Sequence, residues 1–306
     1  MPSPRRWLPS YLSLALIWGF SFLFIKVALE SFSPGEVAFG RILLGAVVLG
    51  ASLLLLRIAP PPRWALWRLL VGSLLFVATP WTLFALAETH VSSSLAGIIN
   101  GATPLMTLLA TLLVFREERP RPGRIVGLIL GFLGVVIVVG WTTESGSPLA
   151  IAMLILAVSC YGVGYPYVRR YLVGPGVPST MSPVSMSFGL LAWGVILTLP
   201  LAVLTPRPDT PPTGAAIACL AALGILGSGV AYILNLRVVT LTDATTASTV
   251  TYVIPLVAVI AGAVILREPL SWNEAVGGVI VLVGAGIAQG LLRPWGSRRR
   301  AKAARH

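Results

Sequence analysis

Charge is scarce in this chain. Only 10% of its 306 residues are Asp, Glu, Lys or Arg, against roughly 25% in ordinary soluble domains. Histidine is nearly missing, with His90 and the terminal His306 the only two. That excludes an HExxH zinc site and leaves little for a Ser–His nucleophile pair. No GxxxxGK[ST] loop occurs, so the chain has no P-loop to power itself with ATP. The two cysteines, Cys160 and Cys219, lie inside apolar runs without CxxC spacing, which reads as packing and not as a disulfide or metal site. No Asp or Glu falls at the centre of an apolar run, so a carboxylate proton relay or a sodium cage is hard to place. No catalytic residue, cofactor or metal is expected.

What is present is apolar. Hydrophobic residues make up 56% of the chain and the mean hydropathy is +0.90. A soluble fold of this length could not hide that much apolar surface. About 20 apolar residues cross the hydrocarbon core as a helix. Ten such runs can be read, near 9–29, 37–57, 64–87, 92–115, 123–141, 147–168, 180–204, 213–238, 244–266 and 273–292. They do not alternate as barrel strands would. The separators are short and carry turn residues, such as Ser33-Pro34-Gly35 and Pro60-Pro61-Pro62. The fold class expected is an all-α integral membrane protein. The first run is too long for a signal peptide and is read as an uncleaved helix.

The net charge of +12 does not point to nucleic acid, because the basic residues sit between apolar runs and in the tail 293–306. With a cytoplasmic N-terminus and ten crossings, eighteen Lys and Arg fall inside and four outside. Both termini are then expected in the cytoplasm of a bacterial-type inner membrane, with the basic tail against anionic headgroups.

The two halves repeat. An offset of 151 residues carries Pro104 onto Pro255, Arg116-Glu117 onto Arg267-Glu268 and Gly127 onto Gly278. Five helices per half is odd, so the second half enters from the opposite face. That is the inverted repeat of many secondary transporters, with a site near the midplane. The boundaries expected are 1–141 and 142–292 for the two five-helix repeats, followed by the tail.

Candidate site residues are polar or aromatic groups inside the runs, where they are costly unless they face the bundle or a cavity. In the fourth run Asn100 shares a face with Ser93, Gly97, Pro104 and Thr107. In the ninth, Ser248, Thr249 and Tyr252 precede Pro255. Each set reads either as hydrogen-bonding groups for a substrate or as helix–helix contacts. Trp18 and Phe22, Trp81 and Phe84, Tyr161 and Tyr165, and Tyr232 with Asn235 form pairs that could wall a pocket. Trp64, Trp67, Trp272 and Trp295 sit at run ends and read as interface anchors. Lys26 and Arg41 lie near the outer ends of their runs and read as structural, Lys26 as a snorkelling side chain, with pairing of Lys26 to Glu36 or attraction of a substrate carboxylate as the alternatives. Glu88 and His90 flank the outer end of the third run. Gly123, Gly127, Gly131 and Gly134, and Gly277, Gly278, Gly284 and Gly286, form small-residue ridges that read as scaffold, within the protomer or in a homodimer.

Trp18-Gly19-Phe20-Ser21-Phe22 with Lys26, Arg41 in the second run, and the Pro104 to Glu117 and Pro255 to Glu268 patterns resemble the EamA-type members of the drug/metabolite transporter superfamily. The second repeat's opening, Tyr161-Gly162-Val163-Gly164-Tyr165, is a looser match. The resemblance covers nearly the whole chain. It implies ten helices in two inverted repeats and a carrier, often an exporter, of amino acids or related small organics. It also implies that the first, third, fourth, sixth, eighth and ninth helices surround the site. The competing reading is a non-transporting scaffold or sensor subunit.

Overall fold

A computed structural model describes residues 4–115, 122–139, 147–173, 177–178, 181–209, 211–235, 250–288 and 292. The described residues are helices and connecting turns, with no strand among them. Seven helices are long and apolar enough to cross a membrane. They are α1 (Pro4–Ala28), α2 (Pro34–Leu55), α3 (Arg63–Ala87), α4 (Ser93–Leu113), α6 (Pro148–Val173), α7 (Pro183–Leu204) and α8 (Gly214–Asn235). Three shorter apolar helices are also present among the described residues: α5 (Pro122–Val139), α9 (Val250–Ile265) and α10 (Trp272–Ala288). Outward-facing side chains such as Leu54, Leu113, Val203, Val264 and Trp272 are apolar and exposed. A surface of that kind is solvated by lipid, not water.

Helix starts follow local chemistry. Ser33 and Glu36 form a reciprocal capping box at α2, with Pro34 in the first turn. Ser92, Ser182 and Thr213 accept from the backbone N–H three residues on and so cap α4, α7 and α8. Glu36 also pairs with Arg207, which ties the start of α2 to the turn after α7. Arg57 and Arg267 close α2 and α9 in the left-handed region, at φ 53° and 56°. Non-glycine residues hold that conformation at a cost of about 1–2 kcal/mol.

Three helices contain a wide π turn, at Leu74–Ala78 in α3, at Arg169–Val173 where α6 ends, and at Leu223–Val230 in α8. Pro80 accounts for the first, because it has no N–H to give the Phe76 carbonyl. α4 breaks into Ser93–Asn100 and Thr103–Leu113. Pro104 likewise has no N–H for the Asn100 carbonyl.

Packing joins the front of the chain to the back. α2 lies on α7, α1 on α8 and α9, α2 on α8, α3 on α6 and α7, and α4 on α6 and α9. α5 packs along α10. There Gly134 faces Gly277 and Gly131 faces Gly284 so closely that a Cβ on any of them would meet backbone or a core side chain. Small residues allow such backbone approach in membranes. Gly123 by contrast meets nothing within 4 Å.

Candidate functional site

The interior between α1, α2, α3, α6 and α8 is lined by aromatics around one cation. Arg41 of α2 is only 8% exposed. Its guanidinium carbon lies 3.9 Å from the ring centre of Trp81 on α3. Its Nε donates to Ser228 Oγ of α8 at 3.2 Å. Tyr161 of α6 and Tyr232 of α8 lie within its electrostatic reach. Among the described residues no carboxylate forms an ion pair with it. A desolvated cation–π stack contributes about 2 kcal/mol or more, which does not offset a buried charge without a counter-ion.

The π turn of α8 builds part of this wall. A π turn leaves carbonyls out of the α-helical ladder, and side chains take them. Trp18 Nε1 donates to Gly227 O at 3.1 Å, and Ser228 Oγ to Leu223 O at 3.2 Å. Such turns often sit at functional sites. Trp18 meets Tyr232 edge-on at 6.5 Å between ring centres. On the other side Phe22 meets Phe84 at 5.6 Å, Phe84 stacks with Tyr161 at 6.3 Å, and Phe76 bridges Tyr161 and Tyr165 at 6.0 and 4.8 Å. Tyr165 keeps 44% of its surface exposed.

Seven of the residues singled out in the sequence thus come together: Trp18, Phe22, Trp81, Phe84, Tyr161, Tyr165 and Tyr232. Asn100 is half-buried at the break of α4, and Asn235 is half-buried at the end of α8. Neither makes a side-chain hydrogen bond to a described residue, and no ring contact ties them to the aromatic group. Ser248 and Thr249 lie outside the described residues, as does the side chain of Tyr252 on α9.

Three placements differ from those read in the sequence. Arg41, read as lying near an outer helix end, turns inward and lies against Trp81. Glu88, expected to flank a helix end beside His90, is fully buried at 0% exposure in the turn after α3. His90 faces outward and hydrogen-bonds Thr89. Lys26 does not snorkel; its ammonium donates to Glu88 O at 2.7 Å and Val91 O at 2.8 Å. Glu268, in the turn after α9, accepts from the N–H and hydroxyl groups of Ser93 and Ser94 at 2.8–3.1 Å. It thereby satisfies the first turn of α4, where a negative charge also meets the helix dipole. Burial holds the Glu88 carboxyl well above the usual carboxylate range. Lys26 and Arg41 pull it down, and Glu268 adds to the rise. No group of three or more His, Cys, Asp or Glu able to hold a metal occurs among the described residues.

A multi-pass helical membrane protein with a buried, mixed aromatic and cationic interior is the architecture of a membrane transporter. The chain belongs to the EamA-like transporter family, whose model matches twice, over residues 5–140 and 148–288. An uncharacterized transporter of Archaeoglobus fulgidus is 28% identical over 275 residues, covering 88% of this chain and 92% of that protein. The uncharacterized inner membrane transporter YedA of Escherichia coli (strain K12) is 27% identical over 285 residues, 90% of each chain. Protein PecM of Dickeya dadantii is 24% identical over 274 residues, 89% of each. A solved structure with a TM-score of 0.62 and 20% identity covers 93% of this chain and 96% of its own, which shows a shared fold.

Proposed function

We propose that the protein is a secondary transporter, working as an exporter or exchanger, of small carboxylate-bearing metabolites such as amino acids. It moves them by alternating access between two inverted five-helix halves, 1–141 and 142–292. Ten helices cross the inner membrane and both termini are cytoplasmic. Support for the repeat comes from two matching features. The offset of 151 residues carries Leu74–Ala78 into Leu223–Val230 and Trp81 onto Tyr232. An offset of 143 carries Trp18 onto Tyr161 and Phe22 onto Tyr165. The Trp18–Tyr232 contact thus joins residues whose repeat-related positions are Tyr161 and Trp81. A two-fold arrangement of that kind favours a site between the halves.

The observation that carries the substrate class is Arg41. It is held flat on Trp81, hydrogen-bonded only through Nε to Ser228 among the described residues, and has no paired carboxylate there. The guanidinium fork suits a carboxylate, and the aromatic walls suit an apolar body. The test uses one body with three heads: phenylacetate, L-phenylalanine and phenethylamine. Ligands that bind only the folded protein stabilise it, by about 2.7 kcal/mol at a hundred times Kd, and so raise its unfolding temperature. The two carboxylate-bearing compounds should stabilise the wild type and not Arg41→Gln. Stabilisation by phenethylamine alone would refute the reading.

A further inference from the structure

Two carboxylates, the fully buried Glu88 and the half-buried Glu268, lie at the turn where α3 meets α4, and they are treated differently. Glu268 receives four hydrogen bonds from Ser93 and Ser94. Glu88, fully buried, has no hydrogen-bond partner for either side-chain oxygen among the described residues. Lys26, the cation that reaches this turn, does not supply one. Both bonds of its ammonium go to backbone carbonyls, including that of Glu88 itself. The Glu88 backbone N–H is also satisfied, by Phe84 O at 2.9 Å. The side chain therefore holds no structural bond that would explain a carboxyl in this place.

The charged groups that face Glu88 are Lys26 from α1, Arg41 from α2 and Glu268 from the turn after α9. Arg41 stacks on Trp81, seven residues before Glu88, which is about 10 Å along a helix. With Glu88 ionised, the two cations and two carboxylates cancel. With Glu88 protonated, one positive charge is left over, and it matches one substrate carboxylate at Arg41.

We propose that Glu88 is the proton-carrying group of the transporter, and that a proton on Glu88 and a carboxylate at Arg41 bind and cross together. The proposal rests on the reading of Arg41 as the carboxylate anchor. One proton from water on the open face forms the O–H of Glu88, and the substrate anion takes its place as the counter-charge of Arg41. On the opposite face the proton returns to water and the anion leaves. A monocarboxylate and its proton thus cross without net charge, in the direction their gradients set. By linkage, the proton strengthens anion binding and the anion strengthens proton binding by the same factor.

The experiment measures phenylacetate affinity of the purified full chain from about pH 6 to 9, beside an infrared titration of the protonated carboxyl band. In the wild type Kd should rise about tenfold per pH unit once Glu88 ionises, as one linked proton requires. Glu88→Gln, which mimics the protonated acid, should bind with pH-independent affinity and lack the titrating band. Glu88→Asp should restore the pH dependence. An affinity that is flat with pH in the wild type, or a slope that survives in Glu88→Gln, overturns the proposal. If phenylacetate does not bind the wild type, the substrate reading fails. The infrared arm then decides for Glu88: a band that titrates in this range and is lost in Glu88→Gln supports a proton site, and its absence overturns it.

Discussion

Removing the Glu268 carboxylate should cost more stability than any exposed charge in the chain. In Glu268→Ala, two backbone N–H groups and two hydroxyls at the start of α4 lose their shared acceptor, at distances now 2.8–3.1 Å. Leaving these part-buried donors without their charged acceptor costs about 2–3 kcal/mol. A chain of this size loses roughly 2–4 °C per kcal/mol, so unfolding should move down by about 4–12 °C. Ser94→Ala removes one hydroxyl donor and leaves the carboxylate bonded, for a loss of about 1 kcal/mol. Tryptophan fluorescence on heating reads the transition in detergent or nanodiscs. Hydrogen exchange gives a second reading, because the first-turn amides of Ser93 and Ser94, which donate to Glu268, should lose protection. A Glu268→Ala protein that unfolds within about 2 °C of the wild type, with those amides still protected, would refute the capping argument.

Two further outcomes follow from local geometry and burial. Arg267→Gly relieves the left-handed backbone at φ 56° and should raise stability by about 0.5–1 kcal/mol, read as a small upward shift in the same melt. Glu88 makes stability depend on pH. Its folded carboxyl titrates above the usual range because it is buried, so the folded chain keeps a proton that the unfolded chain has released. The sign is therefore negative: this contribution is full in acid and is lost as pH rises toward the folded value. Glu88→Gln should flatten that slope, and an unchanged slope in denaturant melts across pH would refute it.

Hydropathy made the apolar helices legible, because a run of some 20 apolar residues has few other fates. Depth within a run picked out Trp18, Trp81, Tyr161 and Tyr232 as interior aromatics. What the sequence hid were directions. Arg41 lies two turns into α2, where a cation reads as snorkelling, yet its side chain turns in toward Trp81. Glu88 adjoins a run end, where a carboxylate reads as facing water, yet the turn folds it under α1. The Glu268–Ser93 contact spans 175 residues, and no local pattern announces it. The π turns were hidden too. Pro80 marks one, but Leu223–Val230 contains no proline and its glycines read as ordinary small-residue packing.

The wide turns also say how a change of chain length would be felt. A π turn is in effect one extra residue lodged in a helix. Deleting a single residue from Leu74–Ala78 would let α3 close into a regular helix while the residues on either side keep their directions. Trp81 would stay beneath Arg41, but the carbonyls that the wide turn leaves free would re-enter the helix ladder. Length, and not only residue identity, therefore sets the local shape of α3 and α8. Over evolutionary time, gains and losses of one residue at these turns offer a route to a differently shaped interior within an unaltered helical frame.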